Sequence, residues 1–227
     1  MNPSGEIWQE IEDMAFQEGA ALAGRASLKG YQNSSEELSQ DIFIRLPYGI
    51  VLAYRLSEAV LNEIGDHPTK LYQAHYRQIN YMLDRTASKI SFHIQSKGFQ
   101  ALPIPASVTV DWKNQTGHLS HKELARRAGL GWIGRNNLLV TPSFGSQVRL
   151  VSVLTDAPLE TSVPVETDCG DCYSCIEACP AGAIKKNRQE FDPRSCFSKL
   201  DEFRKKYQIS HHICGICVKA CPGKEDR

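Results

Sequence analysis

Apolar residues recur at spacings of three and four in two long stretches of the chain. Near the start, Ile7, Ile11, Met14, Ala15 and Leu22 fall on one helical face, and Ser4 stands where a cap belongs, so a helix is expected from Ser4 to about Leu22. Tyr72, Tyr76, Ile79, Leu83, Ala87, Ile90 and Ile94 mark a longer helix, opened by Pro68 in its first turn and closed by Gly98. Between them the pattern changes. Residues 30–37 are polar and read as a loop, whereas Tyr48–Tyr54 (YGIVLAY) is an unbroken apolar run of strand length, as expected for a strand buried on both faces. Phe99–Pro105 reads as a further strand. Ser120 and Glu123 form the S-x-x-E capping box of a short helix that Gly129 stops. Asn137–Thr141 and Val148–Thr155 read as two strands joined by a Pro142–Gly145 turn, and Ala157–Thr167 lacks periodicity, as a linker does.

Composition adds that a packed core is expected: 41% of the 227 residues are hydrophobic. Lys plus Arg number 26 and Asp plus Glu 26, which gives no electrostatic case for a nucleic-acid partner. No apolar h-region opens the chain and no run of apolar residues is long enough to span a bilayer, so the expected location is the cytoplasm. Cysteine changes the picture most. All 8 cysteines lie between Cys169 and Cys221. A disulfide framework would spread them through the chain, so a cluster of this kind reads as metal ligation.

Cys169, Cys172, Cys175 and Cys179 follow C-x2-C-x2-C-x3-C with Pro180 next, the run of bacterial two-cluster ferredoxins. Two-residue gaps let a tight loop bring thiolates to three corners of one cubane, while the fourth cysteine enters a helix and points to the second cluster. Cys214, Cys217 and Cys221, followed by Pro222, repeat the pattern, with Cys196 supplying the missing thiol. The crossed rule then gives cluster one Cys169, Cys172, Cys175 and Cys221, and cluster two Cys179, Cys196, Cys214 and Cys217. Zinc is the competing reading, because four-cysteine zinc sites also use C-x2-C pairs, but they need neither the third cysteine nor two C-P endings. His211 and His212 precede Cys214 and are read as neighbours rather than ligands. Residues 129–136, GLGWIGRN, spell G-x-G-x-x-G but follow a capped helix and precede a strand, the wrong context for a nicotinamide phosphate loop. Their glycines imply a backbone held close to something flat or bulky.

The order A-G-L-G-W-I-G-R-N, then L-L-V-T-P-S-F-G-S, then L-T-D, then the double-cluster module resembles the epoxyqueuosine reductase family, of which the reductive dehalogenases are more distant relatives. LPYGIVLAYRL, the helix around Tyr76–Leu83 and PIPAS at Pro103–Ser107 fit the same pattern, so the resemblance covers residues 40–222. It implies an α+β fold: a nitroreductase-like cobalamin-binding domain over residues 1–160, then a bacterial two-[4Fe–4S] ferredoxin domain over 161–227. It implies that cobalamin lies against Gly129, Gly131, Trp132, Ile133, Gly134, Arg135 and Asn136, and against Thr141, Pro142, Phe144, Gly145, Ser146 and Gln147. Electrons would pass from two [4Fe–4S] clusters to cobalt. A flavin in the first domain is an alternative, since nitroreductase-like folds hold flavin elsewhere.

The sequence departs from the family at two places. Members acting on tRNA carry an acid just before the capped helix, where this chain has Gln115, an amide that cannot donate as an acid. His118 and His121 are the nearby residues able to supply a proton. The tRNA-acting members also continue past the clusters with helical repeats, whereas this chain ends at Arg227. The expectation is therefore a cobalamin-dependent iron–sulfur reductase of a small substrate, fed by a low-potential donor such as a ferredoxin or flavodoxin, with no nucleic-acid or membrane partner. The alternative is a non-catalytic electron-transfer or corrinoid-handling partner of another corrinoid protein.

Overall fold

The computed structural model describes residues 3–33, 35 and 37–223. Helix α1 (Pro3–Gln17) buries Ile7, Trp8, Ile11 and Ala15. Ser4 lies inside this helix rather than ahead of it, and the helix stops five residues short of Leu22. The physical reason is at Gly19: its φ is +99°, the Gly19 amide bonds the Phe16 carbonyl and the Ala20 amide bonds the Ala15 carbonyl at 2.9 Å, which together close the last turn. Leu22 instead opens strand β1 (Leu22–Ser27).

Helix α2 (Ile42–Arg45) is a single turn, followed by β2 (Tyr48–Arg55), in which Ile50, Val51, Leu52 and Ala53 are fully buried, as an unbroken apolar run requires. Helix α3 (Glu58–Asn62) starts at Ser57, whose side chain accepts from the Val60 amide. The long helix α4 (Lys70–Ser96) buries Tyr72, Ile79, Leu83, Ala87, Ile90 and Ile94 on one face and ends ahead of Gly98, as its periodicity implies. Strand β3 (Ala101–Ile104) follows. Helix α5 (His121–Arg127) has Ser120 at its cap, where the side chain accepts from the Glu123 amide.

Strands β4 (Trp132–Ile133) and β5 (Leu139–Val140) pair antiparallel with each other, Trp132 opposite Val140. Strand β6 (Val148–Thr155) belongs to a different sheet of order β1-β2-β6-β3, in which β1 pairs antiparallel with β2 and β3 with β6. The expected turn between β5 and β6 is present, Thr141 and Gly145 exchanging backbone bonds of 2.8 and 2.9 Å, yet the two strands it joins are not partners. After β6 the chain has no regular structure to residue 173, but it is not simply a linker: Ala157 and Leu159 are buried and the Ser162 amide bonds the Arg25 carbonyl. Helices α6 (Ser174–Ala178), α7 (Pro193–Tyr207) and α8 (Ile216–Lys219) complete the chain.

Two compact units interleave along the sequence. The first takes Met1–Tyr54, Asn80–Leu130 and Arg149–Val165; the second takes Arg55–Ile79, Gly131–Val148 and Glu166–Arg227. The division expected between residues 160 and 161 follows chain order and does not coincide with them. In the first unit, β2 and α4 meet through a buried polar link: the Tyr54 hydroxyl donates to the Glu18 carbonyl at 2.7 Å and lies 2.8 Å from the Thr86 hydroxyl. Among the described residues no helix is long and apolar enough to cross a membrane.

Candidate iron–sulfur centre

Every cysteine lies in the second unit and all eight are free thiols. Four local devices position them. Asp168 accepts from the Gly170 amide at 2.7 Å and the Cys172 amide reaches the Cys169 carbonyl, so the chain turns tightly through the first two thiols. One turn of helix, α6, then carries Cys175 and delivers Cys179 at its end. Helix α7 is capped by Asp192, which accepts from the Arg194 and Ser195 amides, and has Pro193 in its first turn; it presents Cys196. Helix α8 carries Cys217, and its entry at Gly215 (φ +82°) runs against Tyr72 and Ile64, where a Cβ would come within 2.7 Å of both side chains. Lys219 at its end donates to the carbonyls of Asn62 and Ile64, closing the turn that follows α3.

The thiols gather in two neighbourhoods. Burial pushes the Cys175 thiol up to about 11, and the facing sulfurs of Cys221, Cys169 and Cys172 push the same way. Burial also raises Cys214 to about 11, partly offset by the Ile216 backbone, with Cys196 and Cys179 beside it. Cys217 is raised furthest, by burial and then by Cys214, Cys196 and Cys179, with a smaller push from Cys175 of the other group. Eight thiols supply the four thiolates that each of two cubanes takes, so the donor set suits two clusters. Buried thiols must lose their protons as metal binds. His212 stacks on Phe197 at 4.8 Å with Asp201 3.4 Å away, and the His211 ring packs near Tyr76.

The loops of residues 131–147, expected to face a corrinoid, make most of their polar contacts within this unit. A Cβ on Gly131 would lie 2.0 Å from the Val140 carbonyl oxygen, so the close approach that glycine permits here is to the partner strand. On Gly145 it would lie 2.1 Å from the Cys221 carbonyl oxygen. Gly134 sits against Val140 and the Cys169 sulfur, and Trp132 Nε1 donates to that sulfur at 3.4 Å. Arg135 donates to the carbonyls of Gly170, Cys172 and Lys186 at 2.8, 3.1 and 2.9 Å, with its guanidinium over the Tyr173 ring. Asn136 Nδ2 donates to Ser146 Oγ at 3.0 Å, and both are buried. The Ser146 amide bonds the Cys221 carbonyl, Gln147 Nε2 bonds the Lys219 carbonyl, and Thr141 Oγ1 accepts from the Phe144 amide. Ile133 and Phe144 stay partly exposed and Pro142 is exposed. Gly129 falls in the first unit, facing the Val163 carbonyl.

Gln115, at the family's acid position, and the two proton-donor candidates, His118 and His121, are also in the first unit. Gln115 is exposed at φ +57° on a tight turn, its amide donating to the Trp112 carbonyl. His118 is half-buried and its carbonyl accepts from Asn33 Nδ2. His121 is engaged at both ring nitrogens: Nε2 lies 3.0 Å from the Pro105 carbonyl oxygen and Nδ1 2.8 Å from Ser152 Oγ. Only the neutral Nε2–H tautomer satisfies both partners if the serine donates, and burial lowers its pKa to about 4. That geometry gives His121 a structural task.

Sequence reasoning did not anticipate Arg135 and Trp132 as residues of the cysteine site. Nothing in the spacing announces them, because they act across a fold contact. Asp192 was missed as well, although an Asp-Pro helix opening marks it.

Residues 168–224 match the family described as a 4Fe-4S double cluster binding domain. The chain is 32% identical over 184 residues to the epoxyqueuosine reductase of Bacillus anthracis, an alignment covering 76% of this chain and 46% of that protein. It is 38% identical over 115 residues to that of Bacillus subtilis, covering 47% and 30%. The chain thus spans less than half the length of these curated relatives. Among solved structures, an epoxyqueuosine reductase superposes with a TM-score of 0.66 at 21% identity, covering 96% of this chain and 66% of that one. A reductive dehalogenase, described with a mechanism for B12-dependent dehalogenation, superposes with a TM-score of 0.78 at 18% identity, covering 99% and 32%. At such identities these likenesses establish the α+β fold.

Proposed function

Membership of the epoxyqueuosine reductase-like family of double [4Fe–4S] cluster proteins is the premise from which we propose that this chain is a cobalamin-dependent iron–sulfur reductase of a small substrate. The observation that carries the iron–sulfur part is the sorting of eight thiols into two neighbourhoods along the crossed ferredoxin pattern. In this reading Cys169, Cys172, Cys175 and Cys221 hold one cluster, and Cys179, Cys196, Cys214 and Cys217 the other. Residues 161–227 supply the ligands and residues 1–160 the domain that handles substrate. A ferredoxin or flavodoxin is the class of donor suited to such clusters.

Cobalamin enters through the relatives, and what it supplies when bound is a low-valent cobalt able to reduce a substrate. The glycines at 131 and 145 bring the backbone close to Val140 and Cys221, a close packing that a corrinoid against these loops would have to share. Of the residues expected to line it, Trp132, Ile133, Arg135, Pro142 and Phe144 keep side chains at least partly exposed. An amide at Gln115 and the engaged ring of His121 leave His118 as the proton donor we assign. They favour a small substrate over tRNA, although one solved relative is described in complex with an epoxyqueuosine-modified tRNA stem loop.

A visible spectrum of anaerobically purified protein, before and after addition of hydroxocobalamin, tests both halves. Cluster absorption that bleaches on reduction, with a shift of the added corrinoid bands, is expected. Protein without iron and sulfide would end the cluster half; unshifted corrinoid bands would end the cobalamin half; bound flavin would replace it. Turnover of epoxyqueuosine-containing tRNA would overturn the substrate class.

A further inference from the structure

Trp132 is fixed from both sides by contacts that meet at one sulfur. On the donor side, Trp132 pairs with Val140, and Gly131 ahead of it lies too close to the Val140 carbonyl and Thr141 backbone to admit any side chain. On the acceptor side, Arg135 ties down the Gly170 and Cys172 carbonyls, which bracket the loop leaving Cys169. The indole N–H then points at Cys169 Sγ across 3.4 Å, and Gly134, where a Cβ would meet the Val140 side chain at 2.5 Å, keeps the turn after it packed beside that sulfur.

We propose that Trp132 is a positioning residue for the first cluster, its indole N–H donating to the Cys169 thiolate and raising that cluster's reduction potential. The inference rests on the reading that Cys169 is a cluster ligand. An N–H donor withdraws charge from a thiolate, and the bond strengthens when the cluster gains an electron, so the reduced state is favoured. A ring that merely filled space would have no such effect, and phenylalanine would replace it without consequence.

The test is an anaerobic redox titration of Trp132→Phe, followed by EPR, with iron and sulfide counted in both proteins. With cluster content unchanged, one of the two midpoint potentials should move to a more negative value and the other stay in place. Unchanged midpoints with full iron content would overturn the inference and leave the cluster assignment standing. Wild-type protein without iron and sulfide would remove the assignment itself. Wild-type protein labelled with indole-15N tryptophan gives a reading that does not depend on the variant retaining its cluster. The reduced cluster should show a 15N hyperfine coupling, and its absence would equally overturn the proposal. Trp8 and Trp112 are the other tryptophans in the sequence, so where Trp132→Phe keeps its cluster the coupling should vanish with the indole.

Discussion

Replacing Gly145 by alanine perturbs the proposed first cluster without touching a cysteine. Gly145 has a φ of +52°, and a Cβ there would stand 2.1 Å from the Cys221 carbonyl oxygen and 2.4 Å from the Gly223 nitrogen. The obstacle is backbone on both sides, so no flexible side chain can move away. Adopting the left-handed conformation costs alanine about 1–2 kcal/mol, and overpacking a tight contact costs about 1–3 kcal/mol more. A total near 3 kcal/mol corresponds to roughly a 150-fold loss in the population that keeps Cys221 in place. The Ser146 amide, bonded to the Cys221 carbonyl at 3.0 Å, sits next to the substitution and would transmit the shift. The first cluster should therefore lose a corner iron or be lost entirely, so that iron per chain falls from about eight to between about four and seven, while the second cluster's EPR signal persists. Iron and sulfide counts on anaerobically reconstituted protein make the measurement. A Gly145→Ala protein with full iron and wild-type EPR would refute the coupling between this turn and Cys221.

Three other outcomes follow from the same geometry. Cys196→Ala should disrupt the second cluster and leave the first, so that about four iron atoms per chain remain fully ligated; loss of both signals or of neither would contradict the crossed assignment. Arg135→Ala removes three charge-assisted bonds to carbonyls at a half-buried position. At about 1 kcal/mol each it should loosen the Cys169–Cys172 loop by about 2–3 kcal/mol, seen as faster release of iron from the first cluster to a chelator, and an unchanged rate would count against the clamp. His121 has a folded pKa of about 4 against an unfolded value near 6.5, so the unfolded chain binds the extra proton between these limits and stability falls as pH drops through that window. For a half-buried ring the loss by pH 5.5 should be about 1 kcal/mol, measured by denaturant titration, and His121→Gln should flatten the dependence.

Much of the fold was legible because burial imposes simple periods. The face of α4 from Tyr72 to Ile94 and the unbroken run of β2 could be read directly, since each buries the residues its period selects. Helix α1 was read too long because Leu22 happens to continue its spacing, and the stop depends on the backbone at Gly19 rather than on hydrophobicity. Helix α7 was missed for the opposite reason: its sequence, PRSCFSKLDEFRKKY, is nearly half charged, and only Phe203 is buried, so its start is marked by Asp192 and Pro193 alone. The pairing of β4 with β5 could not be read from two-residue strands, whose hydrogen bonds carry no pattern. The double-cluster module was legible because the two-residue spacing of thiolates on a cubane is a local constraint. The residues that support them were not, because Arg135 and Trp132 reach the cysteine loop from more than thirty positions away.

The interleaving of the two units bears on how any corrinoid role can be established. The loops of residues 131–147 lie in the same compact unit as all eight cysteines, and their polar side chains are spent on that unit: Arg135 on the Cys172 loop, Ser146 on Cys221, Gln147 on the end of α8. A substitution there that abolished cobalamin binding would therefore not show that the loop touches cobalamin, because loss of the first cluster would produce the same result by disordering the loop. The converse comparison is informative. Ile133 and Pro142 have side chains at the surface of these loops and make no polar contact with the cysteine segments. Changing either to a charged residue should leave iron content and both cluster potentials intact, so a loss of corrinoid binding in those variants alone would locate the corrinoid on this face of the hairpin. Retained binding in both would move the corrinoid's contacts off the hairpin altogether.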